Sequence, residues 1–404
     1  YKRQDIDTAF SDFMPTIGLN MRQFDMMMKI YKILSQKYDV VCTNPPYMGG
    51  SGMNAKLSEF VKSKFPDSKS DLFACFIEKC GQLAKPHGFY AMITQHAFMF
   101  LSSYENLRRK LMLKTTVNMA HLGARAFDEI GGEVVQTTAF VMTGHIKDYK
   151  GTYARLVDTV GENEKRDLFL SGDKRFAAKQ ENFSKIPGMP VAYWVSENFI
   201  RAFERGISID SISDFTGSQH ITANNDKYLR LHWEIDANKV GMGKKWVYYA
   251  KGGDFRKWYG NIELVVDWSE GAVQYYKTNS TSNLLAEKYR FKEGITYTEL
   301  TSSVNTFRYL PPVCIFDKKG PSIVSVKKLW YCLGIFGTKI APLYFAILNP
   351  TLSTQVRDVK NLPIIVNGEI EPKIDEIVKE NVEICKQDWN DFETSWGFEK
   401  HPLI

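Results

Sequence analysis

The chain has no apolar run long enough to cross a bilayer and no leader-like start. Those two absences exclude a membrane-spanning helix and a secretory signal, so the expectation is a cytoplasmic protein with no membrane partner. Six cysteines (Cys42, Cys75, Cys80, Cys314, Cys332 and Cys385) form no CxxC pair and no disulfide-like spacing. They read as reduced thiols, with Cys42 a buried strand residue. His96, His121 and His145 lack the Asp/Glu/His spacing of a metal site, and no metal is expected. Pro66-Asp67 is not followed by the Glu-x-Lys of a metal-dependent nuclease, and Gly241-Met242-Gly243-Lys244-Lys245 lacks the preceding strand and the Ser/Thr of a phosphate loop. Charge of one sign is also scarce. Fifty-two Lys and Arg against 46 Asp and Glu leave +6, compatible with a polyanion partner and little more. A length of 404 residues suggests two or three domains.

What is present is concentrated in ten residues, Tyr38 to Tyr47, reading YDVVCTNPPY. Val40, Val41 and Cys42 form the apolar body of a strand. Pro45 and Pro46 remove two backbone donors and fix φ, so the chain leaves the sheet there. Ligand sites of open α/β sheets lie at the carboxyl ends of strands, which is where Asn44 and Tyr47 fall. A nucleobase exocyclic amine is a poor nucleophile because its lone pair is delocalised into the ring. Two acceptors around its N–H groups, the Asn44 side-chain oxygen and the Pro45 carbonyl, would draw the nitrogen toward sp³ geometry. Pro46 helps hold the turn rigid, and Tyr47 offers a face on which an extruded base can stack.

Asn44-Pro45-Pro46-Tyr47 after an apolar strand resembles the amino-methyltransferase motif, most closely that of adenine-N6 DNA methyltransferases. With the stretches SKSDLFACFIEKC, GFYAMITQHAFMFLSSYENLRRKL and HLGARAFDEIGGEVVQTTAFVMTG, the chain resembles the PglX-type methyltransferases of BREX phage-defence systems. Type IIG restriction-modification enzymes are similar but fit less closely. The resemblance continues through LRLHWEI, KGGDFRKWYGN and RYLPPVCIFDKKGPSI. It implies an α/β fold, a partial Rossmann-like class I methyltransferase sheet followed by a mixed α+β target-recognition domain. It implies methyl transfer from S-adenosylmethionine to a flipped-out adenine in double-stranded DNA, with other defence-system subunits as further partners. It places Asp71, in Asp71-Leu72-Phe73, near the cofactor. It makes Phe127 the aromatic that packs the adenine opposite Tyr47, although a core phenylalanine reads as well. The family's cofactor strands precede the Asn-Pro-Pro-Tyr turn, and nothing between residues 1 and 40 supplies a Gly-rich turn with a following acidic residue. The chain thus reads as a carboxy-terminal piece carrying the base-handling half of the site. RNA bases or a protein glutamine are alternative substrates of such a turn, and a purely DNA-binding role for this piece is another reading.

Along the chain, a catalytic half is expected over 1–150, a linker with a small subdomain over 151–210, a recognition domain over 211–365 and a final helical segment over 366–404. Within 21–36 a helix is expected, its stripe of Phe24, Met27, Met28, Tyr31 and Leu34 in a core. Residues 48–70 read as a mobile loop around Gly49-Gly50-Ser51-Gly52, either closing over DNA or simply solvated. Arg108, Arg109 and Lys110 read as the solvated face of a helix over 102–113. The recognition domain interleaves aromatic and basic residues most densely. Lys251, Arg256, Lys257, Arg308, Lys318 and Lys319 are its candidate DNA contacts, with Gly252, Gly253 and Gly320 allowing close approach of a DNA strand.

Overall fold

The computed structural model describes residues 21–127, 135–215, 219–300, 304–349 and 354–404. It divides into two compact units, Tyr1–Glu181 and Asn182–Ile404.

The first unit is built on a six-stranded sheet ordered β1-β2-β4-β3-β5-β6. The strands are β1 (Tyr38–Thr43), β2 (Ala84–Gln95), β3 (Thr115–Gly123), β4 (Thr137–Thr143), β5 (Lys150–Arg155) and β6 (Arg175–Lys179). β1 and β2 are parallel, with Thr43 opposite Met92. Their connection carries the helices Ala55–Lys64 and Leu72–Leu83, as a parallel crossover requires. β4 lies antiparallel between β2 and β3, where Gln95 and Gly123 both pair with Thr137. The carboxyl ends of β1, β2 and β3 therefore share one edge of the sheet. β5 and β6 extend the sheet past residue 150, so the start of the stretch read as a linker is part of this unit.

The helix Leu72–Leu83 packs on β1 and β2. It buries Phe73, Ala74, Ile77 and Cys80, a stripe with helical spacing. Tyr90, Met92, Met119, Phe140 and Met142 fill the same face of the sheet with Phe98, Met99 and Leu107. On the other face small residues, among them Ala91, Ala139 and Val141, border a concavity of about 710 Å³ that also touches Cys42 and Asn44. β1 is the edge strand of this sheet. Cys42 is consequently exposed rather than buried, and Val40 is 63% exposed. The helix Met21–Ser35 forms as expected, but Met27, Met28, Tyr31 and Leu34 of its stripe are exposed. Amphipathic spacing alone does not supply a surface to pack on.

Two further expectations change. Residues 55–64 are helical because Asn54 caps the segment, its side chain accepting from Leu57 N at 2.9 Å. Arg108 is 1% exposed, not solvated. Its guanidinium donates to the Phe98 and Leu101 carbonyls at 2.8 Å each and so fixes the bend that follows β2.

Among its described residues the second unit holds two four-stranded sheets and a two-stranded one. One runs Cys314–Phe316, Trp246–Ala250, Leu264–Asp267, Leu229–Leu231; the other runs Phe307–Leu310, Gly294–Tyr297, Ser322–Val324, Asp214–Phe215. The apolar helices Leu329–Gly337 and Ala341–Leu348 are largely buried in this unit. Phe307 stacks on Phe336 at 4.2 Å and on Phe345 at 5.5 Å. The last helix, Glu371–Asn390, packs against Leu329–Gly337. Among the described residues no single helix is long and apolar enough to cross a membrane.

Candidate active site

Thr43 ends β1 at the level of Met92, so Asn44 to Tyr47 leave the sheet on the edge shared by Gln95-His96 and by His121 to Gly123. The Asn44 side chain is exposed, and no hydrogen bond joins it to any described residue. Pro45 is buried, and its carbonyl receives no described backbone N–H. Both acceptors of the turn are thus uncommitted. Tyr47 is half-buried and meets Phe73 edge-on, ring centres 6.1 Å apart. Its hydroxyl is buried without a hydrogen-bond partner among the described residues, and burial raises its pKa. Phe73 in turn touches Tyr104 at 5.7 Å, so an aromatic row backs the turn.

The segment after Tyr47 is held tightly. Met48 N donates to Asp71 Oδ1 at 3.0 Å, and Leu72 N donates to the Met48 carbonyl at 3.1 Å. Gly50 N donates to the Ser70 carbonyl at 3.1 Å. The Gly49–Gly52 stretch is therefore tethered to the start of the helix Leu72–Leu83, contrary to the expectation of a mobile loop. Asp71 is buried and caps that helix, its Oδ1 also accepting from Phe73 N at 3.2 Å.

Across the same edge, His96 Nδ1 and His121 Nε2 lie 2.8 Å apart. Phe100 packs on both rings. Burial pushes His96 down to about 4. Burial, then His96, Arg155 and Lys165, hold His121 well below the ordinary histidine value. The pair is neutral at pH 7, one ring donating and the other accepting, and it joins the ends of β2 and β3. In the sequence these histidines show only the lack of metal-site spacing. Their separation of 25 positions gave no signal, because the pairing depends on the antiparallel β4 lying between their strands. Phe127 lies half-buried in the loop that leaves β3.

The groups a sulfonium nucleoside donor calls for are a Gly-rich strand-to-helix turn and a free carboxylate at the next strand end. At this edge Gly49, Gly50 and Gly52 lie between β1 and the helix Ala55–Lys64 and are tied to the Ser70–Leu72 segment, and Oδ1 of Asp71 is engaged by two amides. Among the described residues no group of three or more His, Cys, Asp or Glu side chains converges as metal ligands do.

In the second unit, Lys251 and Lys319 border one groove of about 440 Å³ with Gly252, Gly253, Asp254 and Asn261. Lys318 and Lys319 are exposed, and Lys319 pairs with Glu299 at 3.2 Å. Arg256 pairs with Asp388 at 3.1 Å and lies over Trp389 at 4.6 Å. Exposed Lys257 reaches the Gly337 carbonyl at 3.4 Å. Arg308 is 1% exposed, and among the described residues its guanidinium hydrogen-bonds to Thr298, Thr306 and the Arg256 carbonyl, at 3.3–3.4 Å. Enclosed in this way, it presents no surface to a phosphate. Gly252 and Gly320 serve each other rather than DNA. A Cβ on Gly252 would sit 2.8 Å from the Lys319 carbonyl, and one on Gly320 would meet Gly252 N at 2.5 Å. Most aromatics of the region, including Tyr249, Tyr276, Tyr297 and Phe307, are core, whereas Trp233 and Phe255 are exposed.

A family profile described as Eco57I restriction-modification methylase matches residues 4–124. The adenine-specific methyltransferase PglX of Lacticaseibacillus casei (strain Zhang) is 36% identical over 404 residues, covering 94% of this chain and 33% of that protein. The adenine-specific methyltransferase BrxX of Escherichia coli O9:H4 (strain HS) is 39% identical over 384 residues, covering 92% of this chain and 31% of that protein. Among solved structures, the Type IIL restriction-modification enzyme MmeI in complex with DNA superposes with a TM-score of 0.54 at 12% identity, covering 86% of this chain and 49% of that one. At that identity the likeness concerns the fold, and it agrees with the α/β class expected from sequence. The chain spans about a third of the length of the curated relatives it matches. The sequence is homologous, over nearly its whole length, to the PglX and BrxX adenine-specific methyltransferases.

Proposed function

We propose that this chain supplies the base-handling part of an adenine-N6 DNA methyltransferase acting on duplex DNA, in phage defence or restriction-modification. S-Adenosylmethionine is the co-substrate and supplies an electrophilic methyl group. The observation that carries the reading is the pair of uncommitted acceptors, Asn44 Oδ1 and the Pro45 carbonyl, on a turn tethered immediately downstream. Accepting both amine hydrogens of an extruded adenine, they localise the nitrogen lone pair and aim it. The acceptors are set before the substrate arrives, which is the condition for strong electrostatic stabilisation. Tyr47, backed by Phe73, provides a stacking face. Phe127 is the candidate for the opposite face, because it leaves β3 on the same edge. None of these groups needs to act as a nucleophile, and Cys42 has no role in the step.

The second unit is proposed to read DNA. Half-buried Lys251 and exposed Lys257, Lys318 and Lys319 are the candidate phosphate contacts, and Arg256 is available once its pair with Asp388 opens. Arg308 is withdrawn from that set. Surface lysines of this kind position a duplex without reading its sequence. The test uses a polypeptide of the relatives' length that contains this chain, supplied with tritiated donor and offered duplex DNA, RNA and protein. Label at adenine N6 in duplex DNA is expected. Label in RNA or on glutamine, with none in DNA, would overturn the reading.

A further inference from the structure

The carboxylate of Asp71 is engaged in holding backbone. Its Oδ1 takes two backbone amides from two different elements, Met48 N at 3.0 Å and Phe73 N at 3.2 Å. The second is an ordinary helix cap. The first reaches the residue directly after Tyr47. The clip is reciprocal, because the Met48 carbonyl accepts Leu72 N at 3.1 Å, and Gly50 N to the Ser70 carbonyl adds a third bond. Gly49 and Asp71 pair as an isolated antiparallel bridge. Residues 48–50 and 70–72 therefore run side by side as a short ribbon, with Asp71 at its centre.

The Asn-Pro-Pro-Tyr turn is thus fastened at both ends. Upstream it is fixed by the pairing of Thr43 with Met92 in the sheet. Downstream it is fixed by the Asp71 ribbon, with two prolines stiffening the span between. The same cap sets the first helical turn that carries Phe73, which is fully buried and edge-on to Tyr47.

We propose that Asp71 is a positioning residue for methyl transfer. It holds the Asn44 and Pro45 acceptors and the Tyr47 ring in register, and it is not a ligand of the methyl donor. The assignment of a methyltransfer role rests on the function proposed above, whereas the clip itself does not.

The requirement is for an acceptor oxygen at this place, not for a negative charge. Asp71→Asn keeps one oxygen able to take both amides, and Asp71→Ala keeps none. Three readouts on the relatives'-length polypeptide separate the possibilities. Hydrogen exchange at Met48 and Phe73 should quicken by about tenfold or more in Asp71→Ala, the loss expected for bonds to a charged acceptor, and remain close to wild type in Asp71→Asn. The rate of methyl transfer should fall by about a hundredfold in Asp71→Ala and be largely rescued in Asp71→Asn, as misplacement of reacting groups predicts. Equilibrium binding of tritiated S-adenosylmethionine should be unchanged in both. Donor binding lost equally in Asp71→Asn and Asp71→Ala would overturn the proposal, and so would unchanged exchange at Met48 in Asp71→Ala. If Asp71→Ala does not fold, Asp71→Asn decides alone: full activity supports the acceptor role, and inactivity with intact fold refutes it. If the wild type methylates no DNA, the function proposed above fails, while the exchange result still reports on the clip.

Discussion

Lys165 gives the most demanding test of how the first unit holds its carboxyl edge. It lies in the polar stretch Glu162 to Arg166, within the residues 151–210 expected as a linker with a small subdomain. The structure buries it at 3% exposure. Its ammonium donates to the carbonyls of Leu122 at 2.7 Å, Leu156 at 2.8 Å and Thr159 at 2.5 Å. Leu122 is the penultimate residue of β3, just before the loop that carries Phe127. Burial pushes the Lys165 pKa down, opposed by Asp158 and Glu164.

Replacing Lys165 by Met keeps the stem and removes the donors. The Leu156 carbonyl retains Thr159 Oγ1 at 3.1 Å, so two carbonyls, those of Leu122 and Thr159, lose this donor. At about 1–3 kcal/mol for each unsatisfied buried group, the gross loss is about 2–6 kcal/mol. Release from burying a charge offsets part of it, and a net loss of about 2–4 kcal/mol is expected. The eight tryptophans all lie beyond residue 181, in the second unit. In a urea titration, hydrogen exchange of β3 and β5 should therefore report early opening of the first unit, while tryptophan fluorescence follows the second. A Lys165→Met protein whose β3 exchange matches wild type would refute this account of the edge.

Other predictions concern the turn and the buried histidines. Tyr47→Phe should methylate at close to the wild-type rate, because the hydroxyl it removes has no partner, whereas Tyr47→Ala should lose about ten- to a hundredfold through lost base stacking worth about 1–3 kcal/mol; steady-state methylation assays compare the two. His96, pushed down to about 4, is neutral when folded and binds a proton more readily when unfolded. The stability it contributes is fully present above the unfolded value near 6.5 and is lost as pH falls toward 4. The loss is up to about 3 kcal/mol for a shift of this size. His220, buried in the second unit and pushed down to about 3, gives the same sign there. Urea midpoints measured between pH 7 and pH 4 should fall for both units, and a rise on acidification would contradict the assignment.

The Asn-Pro-Pro-Tyr turn was legible because its chemistry is local. Two prolines, an amide and an aromatic ring after a short apolar strand dictate both the exit from the sheet and the acceptors presented. The helix Leu72–Leu83 is governed by equally local features, its apolar stripe and its Asp71 cap. What the sequence concealed are bonds between distant segments. The His96–His121 pair, the Met48–Asp71 clip, and the burial of Lys165 and Arg308 each depend on which strands become neighbours. Composition also misled where it was read as function. The glycines at 252 and 320 admit each other's backbone, and Arg308 sits inside the unit it was expected to decorate. The exposed Cys42 shows that an apolar strand is buried only as far as its neighbours cover it.

The central claim is that Asn44 presents an uncommitted acceptor to an adenine amine. It is tested most directly by Asn44→Ala in a polypeptide of the relatives' length, with N6-methyladenine in duplex DNA quantified by mass spectrometry and donor binding measured alongside. Removing one preorganised acceptor should lower the methylation rate by about a hundredfold or more with donor affinity unchanged. Methylation of adenine at the wild-type rate by Asn44→Ala would contradict the account.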